Sequence, residues 1–159
     1  MQPIIIPFTP CNLGRVVFDA QVMAGDMKTF GRVRFKLDSG SDFTTLSCDD
    51  IDMLGYDKAF LNACPYHTLS ASTASEDLIL PLQYLTDVTI KFENRVLKGC
   101  RVFFAMGTGL RSLFGSDILK HFNREVDYDA GELRLLDLNN KPILSPGEKP
   151  IQIYSVEAH

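Results

Sequence analysis

The chain has 159 residues, 45% apolar and 23% charged, which is the composition of a globular domain with a hydrophobic core. Sixteen Lys and Arg against twenty Asp and Glu give a net charge of −4, and no basic stretch offers the cationic face that nucleic-acid binding needs. No apolar run approaches the roughly 18–20 residues of a membrane helix, and the short Ile4-Ile5-Ile6 run, closed by Pro7, does not read as a secretion signal, so a cytoplasmic protein is expected with neither nucleic acid nor membrane as partner.

Gly14 to Ala24 alternates loosely and carries β-branched residues, Gly25-Asp26 signals a turn, and Phe30 to Leu37 alternates again. This is the pattern of a β-hairpin. It delivers Asp38-Ser39-Gly40-Ser41, which is followed by a second β-like run, Phe43-Thr44-Thr45-Leu46. A carboxylate thus stands where a strand ends in a tight turn, with a hydroxyl on each side of a glycine. Asp, Ser and Gly all favour turns, so a purely structural turn explains the same residues.

Ser47-Cys48-Asp49-Asp50 opens a short helix, with Ser47 as the cap, Ile51, Met53 and Leu54 as its apolar side, and Gly55 as its end. Tyr66 to Glu76 is small and polar, either an exposed hairpin or loop, or a mobile hairpin whose backbone meets a ligand. Strands are expected at Leu78 to Leu85, Asp87 to Glu93 and Val96 to Ala105, with a turn at Glu93-Asn94. Met106 to Gly109 breaks the pattern, and Leu110 to Phe114 is apolar and ends at Gly115. Ser116 to Phe122 reads as a capped helix with Ile118, Leu119 and Phe122 inward. Glu125 to Leu136 reads as a hairpin around Asp129-Ala130-Gly131, with Val126 and Tyr128 opposite Leu133 and Leu135. Ile151, Ile153 and Val156 mark a terminal strand. The expected fold is mostly β, a small closed barrel with short helices, as one domain.

Cys11, Cys48, Cys64 and Cys100 lack the spacing of a zinc knuckle or redox pair and read as reduced structural thiols. His67, His121 and His159 form no ligand pattern. A metal-dependent hydrolase built on Asp38 and Asp42 is disfavoured by that lack of clustered histidine, and no cofactor is expected.

Three segments in order carry a resemblance. Phe35-Lys36-Leu37-Asp38-Ser39-Gly40-Ser41 is similar to the hydrophobic–Asp–(Thr/Ser)–Gly–(Ala/Ser) motif of the retropepsin-like aspartic proteases. Ser112-Leu113-Phe114-Gly115, followed by Ser116 to Leu119, looks like that family's apolar-apolar-Gly and helix. Val126 to Asp129, running through Gly131 to Leu133, is similar to its closing hairpin. The resemblance covers about Gly14 to Asp137, a core of roughly 14–137. It implies a retropepsin-like β-barrel and a peptide or protein substrate.

The same resemblance implies roles. Asp38 would be the catalytic carboxylate, and Ser39 would hydrogen-bond across a dimer axis. Gly40 would admit substrate close to the backbone, and Ser41 would donate to the Asp38 carboxylate. Ala71, Ser72, Thr73, Ala74, Ser75 and Glu76 would form a substrate-covering flap, and Leu113, Phe114 and Gly115 would support the site. The family often pairs the position of Asp42 with an Arg just after the glycine; Ser116 stands there, so that ion pair is absent. Only one Asp-containing motif is present, whereas the chemistry needs two carboxylates sharing a proton. A C2 homodimer is therefore implied, with Asp38 from each copy at the axis and Ile4 to Phe8 and Ile151 to Val156 as intersubunit strands. The alternative is a retropepsin-like module that binds peptides or dimerises without cleaving them.

Overall fold

The structure, a computed structural model, describes residues 2–9, 14–24, 29–72, 77–104, 111–138, 141–144 and 146–156, and for 67–72 and 77–81 the backbone alone. The chain is mostly β, in one domain. Strands β1 (Ile4–Pro7), β2 (Val17–Met23), β3 (Gly31–Leu37) and β4 (Thr45–Leu46) precede helices α1 (Cys48–Met53) and α2 (Lys58–Ala63). Then come β5 (Tyr66–Ser72), β6 (Asp77–Lys91), β7 (Arg95–Phe104) and β8 (Leu113–Phe114), the short helix α3 (Ser116–Leu119), β9 (Phe122–Asp127), β10 (Glu132–Asp137) and β11 (Gln152–Ser155). None of the described helices is long and apolar enough to cross a membrane.

The β2–β3 hairpin follows from its alternation. Phe18 lies opposite Phe35 and Ala20 opposite Val33, all buried, while Asp19 faces Arg34 and Gln21 faces Arg32 on the outer side. The outward Asp19 carboxylate accepts from both Arg32 and Arg34, and those bonds hold its carboxyl below the usual carboxylate range. The inward rings build the core. Phe114 packs edge-on against Phe18 and Phe35 at centroid distances of 5.4 and 5.7 Å, with Phe92 at 6.1 Å. Such edge-to-face contacts add about 0.5–1.5 kcal/mol each beyond area burial.

The main sheet has the order β11-β7-β4-β8-β3-β2-β6-β5, and an added β6–β7 pairing rolls it back on itself. The barrel is not strictly closed, in contrast to the closed barrel expected. Its β4 and β8 strands are only two residues long, and the β6–β7 register shifts between Leu85 and Val88 and again before Ile90. The first irregularity includes Asp87 at φ +54, a conformation that Asp tolerates better than most residues. The two strands expected over 78–93 are consequently one strand, bent there rather than interrupted.

A second sheet, β1-β10-β9, seals the core with Ile4 opposite Leu135 and Ile6 opposite Leu133. In the β9–β10 hairpin Val126 faces Leu133 as expected, but Leu135 faces Arg124, since Tyr128 lies in the turn beyond the paired residues. Both terminal strands pair within the chain, β1 with β10 and β11 with β7, and each is the outermost strand of its sheet.

The Ser47 cap forms as expected, its hydroxyl accepting from Asp50 N at 3.1 Å, and Gly55 ends the turn at φ +76. Ile51 and Leu54 are buried, but Met53 is 80% exposed; α1 has barely two turns and turns that position outward. Helix α2 has no counterpart in the sequence reading. Its last carbonyls are met from 22 and 19 residues away: the buried Gln83 side-chain amide donates to Leu61 O at 2.8 Å and Cys64 O at 3.2 Å. Helix α3 is shorter than expected. It begins without a side-chain cap, and Phe122 opens β9 instead of closing the helix, though Ile118, Leu119 and Phe122 are all buried.

Candidate active site

Strand β8 is inserted between the two strands that flank the Asp38 turn. It runs parallel to β3, with Lys36 opposite Leu113 and Leu37 opposite Phe114, and antiparallel to β4, with Thr45 opposite Leu113. The chain therefore passes through this point twice, once as 35–46 and once as 112–119, and each pass holds the other.

Asp38 N donates to Phe114 O at 3.0 Å as the last rung of the β3–β8 ladder. The next residues curl back: Ser41 N donates to Asp38 O at 3.1 Å, and Gly40 N donates to the Asp38 carboxylate Oδ1 at 3.1 Å. This is the local side-chain-to-backbone bonding that makes Asp a turn residue. Among the described residues no other donor takes up the carboxylate's lone pairs, and Asp38 is half-buried beside an exposed Ser39 and Gly40. A Cβ on Gly40 would lie 3.3 Å from Asp38 Oδ1, so a side chain there would crowd the acid.

Ser41 does not support the carboxylate as expected. Its hydroxyl donates to Phe43 O at 2.8 Å, because the loop bends just after it and brings a nearby main-chain carbonyl into reach.

Gly115 stands where the two passes cross. A Cβ there would fall 2.4 Å from Phe43 O and 2.9 Å from Ser41 O, both backbone atoms. Its φ is −98°, so glycine is needed for close approach and not for a left-handed conformation. Around it the turn is pinned again. Ser116 N donates to Ser41 O at 2.8 Å, and Gly115 N donates to Thr44 Oγ1 at 3.1 Å. Thr44 in turn gives both its donors to Asp117 Oδ1, the amide at 2.9 Å and the hydroxyl at 2.7 Å, while Ile118 N reaches the same oxygen at 2.9 Å. Ser112 makes a parallel link to α1, accepting from Ser47 N at 2.9 Å and donating to the Asp50 carboxylate.

Burial pushes the Asp117 carboxyl above its ordinary value, the Thr44 and Ile118 donors pull it back, and the negative Glu148 pushes it up further. Burial, aided by the Asp117 charge, also pushes the Cys100 thiol up, which leaves it inert as a nucleophile.

Of the residues named from sequence, Asp38, Ser39, Gly40, Ser41, Leu113, Phe114 and Gly115 come together at this crossing. Ala71 and Ser72 end β5, opposite Leu78 and Asp77, in a hairpin separated from β3 by β2 in the sheet order. Thr73, Ala74, Ser75 and Glu76 lie outside the described residues. Thr44 and Asp117 carry a bond that the sequence reading missed. An acid early in a helix suggests only a dipole partner, and no local pattern links residues 73 positions apart.

No protein-family model and no curated protein sequence matches the chain. Solved structures do. One is described as a crystal structure of a retropepsin-like aspartic protease from Rickettsia conorii; it is 18% identical, has a TM-score of 0.56, and the match covers 97% of this chain and 93% of that one. The chain thus has the retropepsin-like fold.

Proposed function

We propose that the chain is an aspartic endopeptidase that works as a C2 homodimer, hydrolysing peptide bonds with a water activated between two Asp38 carboxylates, one from each copy. The observation that carries this reading is the state of Asp38. It is an acid at the chain crossing, half-exposed, with only one donor on its carboxylate among the described residues, while its main chain is bonded on both sides. A side chain held still with open lone pairs is prepared to bind a water or a second carboxylate.

Within one copy no second carboxylate completes the site among the described residues: Asp42 is exposed, and Asp117 is committed to Thr44. Two such carboxylates across an axis would repel as anions and share one proton. One then takes a proton from water as that oxygen attacks the carbonyl carbon, and the other protonates the carbonyl oxygen; collapse breaks the C–N bond with a proton passed to the leaving amine. The titration belongs to the pair.

In this reading Ser39 bonds across the axis, Gly40 leaves room for the scissile bond, and Ser41 shapes the turn through Phe43 O. Residues 71–76 cover the substrate. The outer edge of β11 is the backbone available to a second copy, whereas on the outer edge of β1 the Asn94 side chain of the same chain already accepts from Ile5 N and donates to Pro3 O, so β1 would join an intersubunit sheet only by giving up those bonds. This chemistry uses no metal or cofactor.

Wild type and Asp38→Asn, incubated with a mixed peptide library between pH 4 and 7, test the reading. Loss of cleavage in the variant is expected, by about a thousandfold or more, given what general acid–base pairs contribute. Equal cleavage by both would remove the catalytic assignment. Absence of cleavage by wild type, with a concentration-dependent dimer retained, would favour a non-catalytic peptide-binding or dimerisation module. Activity from a species that sediments only as monomer would remove the dimer mechanism.

A further inference from the structure

We infer that Asp117 is the positioning residue of this site: by holding Thr44 through its amide and hydroxyl, it fixes where the Asp38 turn stands relative to the molecule. The inference rests on the proteolytic reading above but makes a separate claim about a residue that does not touch the reacting atoms.

The turn is held at its entrance, its middle and its exit, and the exit carries a side-chain hold as well. At its entrance Asp38 N is held by Phe114 O, and in its middle Ser41 O is held by Ser116 N, both main-chain bonds. At its exit Thr44 O accepts from Phe103 N at 2.9 Å, a third main-chain bond, and the other two polar groups of Thr44 are held by a side chain. Thr44 is fully buried, so its amide and hydroxyl must find partners inside the protein, and Asp117 Oδ1 is the partner of both. The hydroxyl oxygen then accepts from Gly115 N, which ties the exit to the glycine where the two chain passes touch. Taking away the Asp117 oxygen leaves two buried donors unmet at one end of a seven-residue span (38–44) whose other end carries the acid. A displacement of about 1 Å at such a site costs roughly a hundredfold in rate.

The geometry asks for an acceptor at Oδ1 rather than for a charge. An amide oxygen serves equally, so Asp117→Asn is the conservative rescue, whereas Asp117→Ala removes the acceptor and Thr44→Val removes the hydroxyl while keeping the carboxylate.

The test compares the full chain as wild type, Asp117→Ala, Asp117→Asn, Thr44→Val and Asp38→Asn, by peptide cleavage and by amide hydrogen exchange. The expected result is a fall in kcat of about a hundredfold for Asp117→Ala with KM nearly unchanged, a similar direction for Thr44→Val, and near wild-type kcat for Asp117→Asn. Asp38 N, Ser41 N and Ser116 N should exchange faster in Asp117→Ala and Thr44→Val, and at the wild-type rate in Asp117→Asn. If Asp117→Ala fails to fold, Thr44→Val carries the same comparison. Full kcat in Asp117→Ala or Thr44→Val while Asp38→Asn is dead would overturn the inference and leave the protease reading standing. An Asp117→Asn as slow as Asp117→Ala would overturn it too. Should Asp38→Asn cleave like wild type, the protease reading is lost, and unchanged exchange at those three amides overturns the positioning role independently.

Discussion

The Asp38 turn and the Gly115 turn sit side by side, each following a strand of the same parallel pair, and each carries an acid. They use it in opposite ways. Among the described residues the Asp38 carboxylate accepts one bond, from Gly40 N, and the residue remains half-exposed. Asp117 collects three donors on one oxygen from within the protein. A carboxylate oxygen that holds three buried donors is part of the framework, and a carboxylate with open lone pairs can meet water, substrate or a second acid. The chain thus carries two carboxylates at one crossing, and the donors that each accepts, not sequence context, set them apart.

That contrast can be broken most sharply at Asp38. Asp38→Asn keeps the oxygen that receives Gly40 N, so unfolding free energy should move by less than about 0.5 kcal/mol. Cleavage should fall by about a thousandfold, a barrier change near 4 kcal/mol. Paired urea titrations and turnover assays check both halves. A large stability loss would make Asp38 a framework acid like Asp117.

Next in size is Gly115→Ala. Its added carbon meets backbone oxygens that cannot swing away, so a loss of about 3 kcal/mol is expected, at the upper end of overpacking costs. Urea midpoints read this directly, and a neutral result would mean that the two passes are not in the close contact described.

Asp117 gives a smaller effect with a defined sign. Its folded-state carboxyl is raised, chiefly by burial and also by Glu148, against the pull of Thr44 and Ile118. A raised carboxyl stabilises the fold fully below the unfolded value of 3.8, and that contribution is lost as pH climbs through the folded value. Asp117→Asn lacks this loss. Its melting temperature should therefore rise relative to wild type as pH increases from 3 towards 7, and a gap that closes with rising pH would contradict the assignment.

The smallest effect belongs to Asp19. Arg32 and Arg34 lower its carboxyl, so its contribution is present above 3.8 and lost as pH falls below that range. The pair partners are strongly exposed, and Asp19→Asn should cost under about 1 kcal/mol and less in high salt, as denaturation with and without added salt would show.

Much of the frame could be read from local pattern. The alternation of Phe18, Ala20 and Val22 against Val33 and Phe35 defined a hairpin, and Ser47, Asp49, Asp50 and Gly55 marked both ends of α1. The Asp38 turn was visible because Asp, Gly and Ser bond to their own neighbours. What escaped depends on distant partners. Helix α2 is completed by the Gln83 amide, the Ser41 hydroxyl had a nearer carbonyl than the expected carboxylate, and Thr44 meets Asp117 only because β8 threads between β3 and β4. Local propensity carries no information about such pairings.

The central claim is that one active site needs Asp38 from two copies. Mixing tests it most directly: wild type and Asp38→Asn are unfolded together in equal amounts, refolded at constant total concentration, and assayed against one cleaved peptide. Random pairing leaves only about a quarter of the assemblies with both carboxylates, so activity should be about one quarter of that of pure wild type. Activity of about one half, tracking the wild-type fraction linearly, would show that a single chain carries a complete site and would contradict the account.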